Sequence, residues 1–294
     1  MLSILIPTYN YNAYPLACEL EKQALALDID FELICMDDGS LSKLNVENQK
    51  INRLTNSKFI ESQTNLGRTA RRQKLAEMAK YSWLLLLDAD VFPKENTFLV
   101  NYVKAIRLNY SIYFGGLSYG NTSHAEHKEL RYTFGRLREE INAATRNKNP
   151  YKIVTSGNVL VQKKIYQKLF TDTLGKSYGM DYYFGSCLKK NNVKVFHLDN
   201  EVYHNGIDTN VEFLKKTERA IENLKSLLSN KTIDTSSISL IKAYKFLTVT
   251  KLNILYKQFF IFFKSSFRKN LTGKNPNLFI FDLYRLGILV TTKN

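Results

Sequence analysis

The loop after the first apolar run of this 294-residue chain, Pro7-Thr8-Tyr9-Asn10-Tyr11-Asn12, contains no glycine. That absence excludes the P-loop and the dinucleotide fingerprint, which need glycine there so that backbone can approach a phosphate. Cysteine is scarce. Cys18, Cys35 and Cys187 are an odd number without metal-type spacing, which argues against a disulfide scaffold, fits a reducing compartment, and reads as small buried apolar side chains. No stretch approaches the roughly 18 uninterrupted apolar residues of a membrane-spanning helix. The start, MLSILIPTYN, has no basic segment before its apolar residues and reaches proline early, so it reads as a strand and loop, not a secretory signal. No Ser-His-Asp or Cys-His arrangement, internal repeat or low-complexity tract is evident. Acid is short of base, 27 Asp and Glu against 42 Lys and Arg. The resulting +15 implies an anionic partner: nucleotide, nucleic acid or lipid headgroup.

What is present can build a core, since 44% of the residues are hydrophobic. The length allows one large domain, or one domain and an extension. Tyr81 to Pro93, YSWLLLLDADVFP, carries a run of large apolar residues that ends abruptly in Asp88-Ala89-Asp90. The run reads as a strand buried on both faces, with two carboxylates at its carboxyl end, where open α/β sheets bind ligands. Asp88 and Asp90 share a face of an extended chain, and hard oxygen donors suit Mg²⁺ or Mn²⁺ carrying a phosphate. Asp is also a common turn former, so Asp-x-Asp alone decides nothing.

The rest of the first half supplies context. Leu2 to Ile6, Phe31 to Met36 and Phe59-Ile60 read as strands, while Tyr14 to Leu27 and Thr69 to Lys80 read as helices. Polar or acidic clusters follow the strands: PTYN, Asp37-Asp38-Gly39-Ser40, and Asn65-Leu66-Gly67. This is the pattern of a mostly parallel, doubly wound α/β sheet with a site along one edge. A nucleotide fits such an edge. Asp38 can accept from a base N–H or a ribose hydroxyl, Tyr9 offers a flat face, and the arginines after Gly67 suit a pyrophosphate at a helix start. Each also has a plainer role, as turn former, packing residue or solvated helix residue.

Four stretches in order, SILIPTYN (3–10), CMDDGS (35–40), NLGRTARRQKLAEMAK (65–80) and LLLLDADV (84–91), resemble glycosyltransferase family 2, which has the GT-A fold. The resemblance runs from residue 2 to about 215. It implies a nucleotide-sugar donor held by Pro7, Thr8, Tyr9, Asp38, Arg68, Arg72 and Asp88. Tyr9 and Asp38 would hold the base, with Asp37 supporting the loop. Arg72 would face the base or diphosphate, although Arg72-Gln73 stands where the family usually has Arg-Asn. Asp88 would contact the sugar or ribose, and Asp90 would coordinate Mn²⁺ or Mg²⁺ on the diphosphate. The resemblance further implies inverting transfer to a glycan or lipid-linked acceptor, in polysaccharide or surface-glycan synthesis, with a UDP-sugar the expected donor.

In the second half, YFGGLSY (113–119) reads as a strand whose glycines admit another backbone closely. Glu129 to Asn149 is rich in charge and helix formers. Ser156-Gly157-Asn158 sits inside a β-rich run, and Gly157 is either a bulge or, by the resemblance, part of an acceptor or sugar pocket with Asn158 and Met180. Asp181 follows Met180 where the family commonly has Gly-Glu-Asp. An aspartate in a first helical turn is ordinary capping chemistry, so the resemblance, not the spacing, assigns it the catalytic base. Val193 to Leu198 reads as the last strand. His204, in His-Asn-Gly, is implied to complete the metal site, and imidazole suits Mn²⁺ better than Mg²⁺. His197 reads as packing, and His124 and His127 as loop residues.

Residues 1–215 are thus expected to form the catalytic domain and 216–294 a helical extension. Val211 to Leu228 reads as an amphipathic helix and Ser229 to Ser239 as a polar linker. Residues 236–294 carry ten Lys or Arg against one acid, a net +9, with eleven aromatics. At about 100° per residue, Lys242, Lys245, Lys257, Lys264 and Arg268 share one arc with Phe260, and Lys251 and Lys269 break the pattern. Ile241, Tyr244, Leu247, Leu252, Leu255, Phe259 and Phe263 share the other. This reads as one or two amphipathic basic helices, whose aromatic face either packs on the catalytic domain or lies on an anionic membrane, which would make the protein cytoplasmic and peripheral on the inner face. Rival readings are a nucleotidyltransferase acting on sugar phosphates, which lacks its glycine-rich loop here, and a basic nucleic-acid-binding protein. The acidic edge would repel phosphates, so no nucleic-acid partner is expected. The sequence sets no oligomeric state.

Overall fold

A computed structural model describes residues 1–120, 126–169, 180–229 and 238–292. The strands, in chain order, are β1 Leu2–Thr8, β2 Phe31–Asp37, β3 Ser57–Ile60, β4 Trp83–Leu87, β5 Val91–Pro93, β6 Ile112–Phe114, β7 Leu117–Ser118, β8 Asn158–Gln162, β9 Val195–His197 and β10 Val202–His204. The helices of the first part are α1 Tyr14–Leu25, α2 Asn45–Asn48, α3 Arg68–Met78 and α4 Phe98–Ala105. After these come α5 Glu129–Phe134, α6 Ala143–Asn147, α7 Lys163–Leu169 and α8 Met180–Lys190. The last four are α9 Asn210–Ser229, α10 Ser239–Val249, α11 Asn253–Thr272 and α12 Leu278–Thr291.

The main sheet has seven strands in the order β3-β2-β1-β4-β8-β6-β9. β1 to β4 are mutually parallel where they pair, as crossover helices require, and β8 runs antiparallel to both β4 and β6. The expected mostly parallel α/β sheet is therefore present, with one reversed strand beside the centre. β4 is central and its Leu84 to Leu87 are fully buried, because helices and loops cover both sheet faces. One core cluster lies against α1 and α4, and a second against α3, α7 and α8.

The 113–119 segment is not one strand. It leaves the main sheet as β6 and joins a small second sheet, β5-β10-β7, as β7. Gly115 and Gly116 make the crossing. Gly116 has φ 92°, and a Cβ on Gly115 would overlap the Asn200 carbonyl, the Asn158 amide and the Tyr102 hydroxyl. The expected close backbone approach is thus real, and it is what splits the strand. β10, which the sequence reading did not place, pairs antiparallel with β5 and sets His204 opposite Val91.

The carboxyl-terminal helices form their own core from Leu214, Ile221, Phe260, Phe267, Tyr284 and Ile288, joined by Leu130 of α5. The expected 215/216 boundary falls inside α9. The residues of the basic arc lie on two helices, α10 and α11, broken where Lys251 adopts φ 58°. Phe260, expected on the basic arc, is buried on α12, because Gly287 leaves room for its ring. Most of the expected linker lies outside the described residues, as does His124. No described helix is long and apolar enough to cross a membrane.

Candidate active site

The carboxyl ends of β1, β2 and β4 open on a cleft of about 830 Å³, whose far wall is built by α5, α8, α9 and α12. Pro7 and Thr8 line its floor, both buried, and the Thr8 hydroxyl donates to the Tyr11 carbonyl at 3.0 Å. Tyr9 stands exposed at its edge.

Asp38 is buried and already engaged. Its Oδ1 accepts from the Leu66 N–H and Arg71 Nε, each at 2.9 Å, and its Oδ2 accepts from the Gly67 N–H at 2.8 Å. It therefore ties the second sheet-edge loop to the start of α3, lines the cleft, and keeps one further acceptor position on Oδ2. Arg71, one of the arginines after Gly67 expected to suit a pyrophosphate, is instead fully buried on Asp38, and its Nη2 also donates to the Thr64 carbonyl. Asp37 does support the loop, accepting from the Ser40 N–H and hydroxyl.

Asp88 and Asp90 are both at the cleft, but in different company. Asp88 Oδ2 accepts from Arg68 at 2.5 Å and its Oδ1 from Arg72 at 2.6 Å. Burial would raise its pKa, but the two guanidinium groups outweigh burial and hold it below the usual carboxylate value. Arg72 is itself buried, and its Nε has no partner among the described residues. Gly157 lies against this carboxylate, and a Cβ there would sit 2.6 Å from Asp88 Oδ2.

Asp90 faces His204, with Nε2 3.5 Å from Oδ2. The β5–β10 pairing makes this contact, and the Asn205 N–H donates to the Asp90 carbonyl at 2.9 Å. Burial raises the Asp90 pKa despite His204, and burial lowers that of His204 despite Asp90. Each is pushed toward its neutral form; that readies the imidazole for a metal, whereas the Asp90 carboxyl has to give up its proton to bind one. Behind His204, Tyr119 packs edge-on at 5.6 Å, itself hydrogen-bonded to Arg131 and Glu139. Gly206 clears the space beside Asp90, since a Cβ there would overlap Oδ2. No group of three or more His, Cys, Asp or Glu gathers among the described residues. One carboxylate and one neutral imidazole still fit Mn²⁺ or Mg²⁺ if phosphate oxygens and water fill the remaining positions.

Across the cleft, Asp181 lies exposed in the first turn of α8. Its Oδ1 accepts from the Ser156 hydroxyl at 2.6 Å, and Ser156 Oγ accepts from Arg68 Nη2 at 3.2 Å. Ser156 thus joins the candidate base to the arginine–Asp88 cluster, a role with no signal in the sequence beyond its place before Gly157. Asn158 corrects the expected pocket. It is fully buried, accepts from the Tyr102 hydroxyl, and donates to the Gly116 and Asn200 carbonyls at 2.9 Å each. Its side chain locks the two sheets together and does not line the cleft. The Met180 side chain lies outside the described residues.

The profile of glycosyl transferase family 2 matches residues 3–170, more than half of the chain. The chain belongs to glycosyl transferase family 2. An uncharacterized glycosyltransferase of Mycoplasma genitalium is 31% identical over 105 residues, a match that spans 32% of this chain and 34% of that protein. Among solved structures, S. aureus TarS (residues 1–349) in complex with UDP-GlcNAc aligns with TM-score 0.51 and 16% identity, over 99% of this chain and 90% of that one. The same protein in complex with UDP aligns with TM-score 0.50 and 18% identity, over 76% and 65%. At such identity these structures speak to the fold, which is GT-A-like in this family 2 chain.

Proposed function

We propose that this family 2 protein transfers a sugar from a nucleotide-diphosphate donor to a hydroxyl of a glycan or lipid-linked acceptor, with inversion at the anomeric carbon. One observation carries the reading: Asp181 stands across one cleft from Arg68 and Asp88, bridged to them by Ser156. A diphosphate bound among Arg68, Arg72 and the Asp90–His204 pair would present its sugar toward Asp181. The acceptor oxygen attacks the anomeric carbon from the side of Asp181, and the bond to the diphosphate oxygen breaks on the opposite face. Asp181 takes the hydroxyl proton on the oxygen not held by Ser156, and the nucleoside diphosphate leaves with the bonding electron pair. Asp90 and His204 would hold a divalent cation, which supplies positive charge against the leaving diphosphate. Arg68 and Arg72 supply more from the protein itself and lie where donor phosphates can replace Asp88 as their partner.

A UDP-sugar is the proposed donor, in keeping with the resemblance and with TarS, a fold relative whose structures hold UDP and UDP-GlcNAc. Tyr9 at the rim and the further acceptor position of Asp38 are the proposed base contacts. The test is a thermal-shift and calorimetric screen of UDP-, GDP- and dTDP-sugars with Mn²⁺, followed by NMR of the product's anomeric centre. Retention of configuration, or binding of no sugar nucleotide, would sink the proposal.

A further inference from the structure

The helical unit leaves one face uncovered, and its composition is unlike the rest of the surface. On α11, with about 100° per residue measured from Phe260, buried Phe267 and Leu271 fall within about 20°. Leu255, Phe259 and Phe262 fall about 100 to 160° to one side, and Lys257, Lys264 and Arg268 about 40 to 80° to the other. The helix therefore has two apolar faces. One packs on α12, while the second points outward, with Leu255 63% and Phe262 80% exposed. At the α10–α11 corner, Phe246, Val249 and Ile254 are exposed as well. The outward rings are not loose. Phe262 packs on Phe263 and Phe263 on Phe259, each at 4.9 Å, and Phe263 stacks on buried Phe267 at 6.1 Å. The helix pair and the turn between them hold seven Lys or Arg and no acid.

We infer that the outer face of α10 and α11 is a docking surface for an anionic lipid bilayer. An ordered aromatic and aliphatic face beside a lysine stripe, on helices that do not span, is the make-up of an element lying in the headgroup region. Phe and Leu side chains enter the acyl boundary, and the lysines meet lipid phosphates. A second copy of the chain is the poorer occupant, because facing two such surfaces would set basic rim against basic rim. The same unit turns its other side to the cleft, where Phe281 and Arg285 of α12 form part of the wall. Docking would hold that mouth at a fixed height over the bilayer and favour a membrane-borne acceptor. This last step rests on the proposed glycosyl transfer; the docking surface does not.

The test is cosedimentation of the full chain with phosphatidylcholine vesicles, with and without phosphatidylglycerol, at low and high salt. The chain should pellet with the anionic vesicles, less so at high salt, and stay in solution with the neutral ones. The Leu255→Ser/Phe262→Ser double variant should lose about tenfold or more in partitioning, since two large apolar side chains no longer enter the bilayer. Both substitutions are on the solvent side, so its circular dichroism and its binding of UDP should match the parent. Lys257→Glu/Lys264→Glu should weaken anionic binding and abolish its salt dependence in part. Pelleting that ignores lipid charge, or no pelleting at low salt, overturns the inference. So does a parent dimer that the double variant dissociates without any change in vesicle binding. UDP binding measured on the same samples separates failure of this surface from failure of the donor reading.

Discussion

His204 Nε2 lies 3.5 Å from Asp90 Oδ2, and Gly206, two residues on, leaves the space that carboxylate occupies. A methyl group at Gly206 would overlap Asp90, so Gly206→Ala should displace the carboxylate while touching no core contact. Mn²⁺-dependent nucleotide affinity should fall by about tenfold or more, as for other changes that misplace a metal ligand, with the thermal midpoint nearly unchanged. Titration calorimetry with and without EDTA reads both. Affinity equal to that of the parent would remove Asp90 from the donor site.

Asp181→Asn keeps the hydrogen bond from Ser156 and removes the proton acceptor. Turnover should fall by roughly a hundredfold or more while donor affinity holds. Ser156→Ala should cost less, because it removes the hydrogen bond that positions the carboxylate and leaves the proton acceptor itself in place. If Asp181→Asn instead abolishes donor binding and leaves saturated turnover intact, Asp181 is a donor ligand.

Asn158→Ala should act on stability and not on substrate. Its amide satisfies two buried carbonyls and its oxygen a buried tyrosine hydroxyl. Loss of those partners should cost about 2 to 3 kcal/mol, read by urea denaturation. A fully stable variant with altered acceptor affinity would restore Asn158 to the pocket.

Much of this site was legible because its residues sit at strand ends. The apolar runs ending at Thr8, Asp37 and Asp88 each announce a strand, and the parallel order brings those ends to one edge. His204 was legible only through the resemblance. Its neighbour Asp90 is set by the pairing of β5 with β10, two three-residue strands too short to carry a periodic signal. Asn158 misled because Ser-Gly-Asn reads alike whether the amide points to a ligand or into the seam between two sheets. Phe260 misled in the same way. A helical wheel ranks faces by composition, and α11 has two apolar faces, of which Gly287 on a different helix selects the buried one.

His197 gives the fold an acid limit. Its ring is buried in β9, with Nε2 2.8 Å from the Pro150 carbonyl and Nδ1 3.2 Å from Arg146. These partners suit a neutral ring that donates from Nε2 and accepts at Nδ1. Burial, with help from Arg146 and against the Pro150 carbonyl, lowers its pKa from 6.5 to about 4. Between those values the unfolded chain binds the proton and the folded chain does not. Stability should therefore be full above pH 6.5 and fall as pH drops toward 4, by up to ~3 kcal/mol from this group. Denaturation curves across that window should slope less in His197→Gln than in the parent, and equal slopes would assign the limit to other groups.

Titration of UDP-, GDP- and dTDP-sugars, each with Mn²⁺, into the parent and into Asp90→Ala puts the donor site to its most direct test. One sugar nucleotide should bind the parent in the micromolar range, and Asp90→Ala should bind it about tenfold more weakly or worse. Binding of none of them, or equal binding by both proteins, would contradict the assignment of this cleft to a nucleotide-sugar donor.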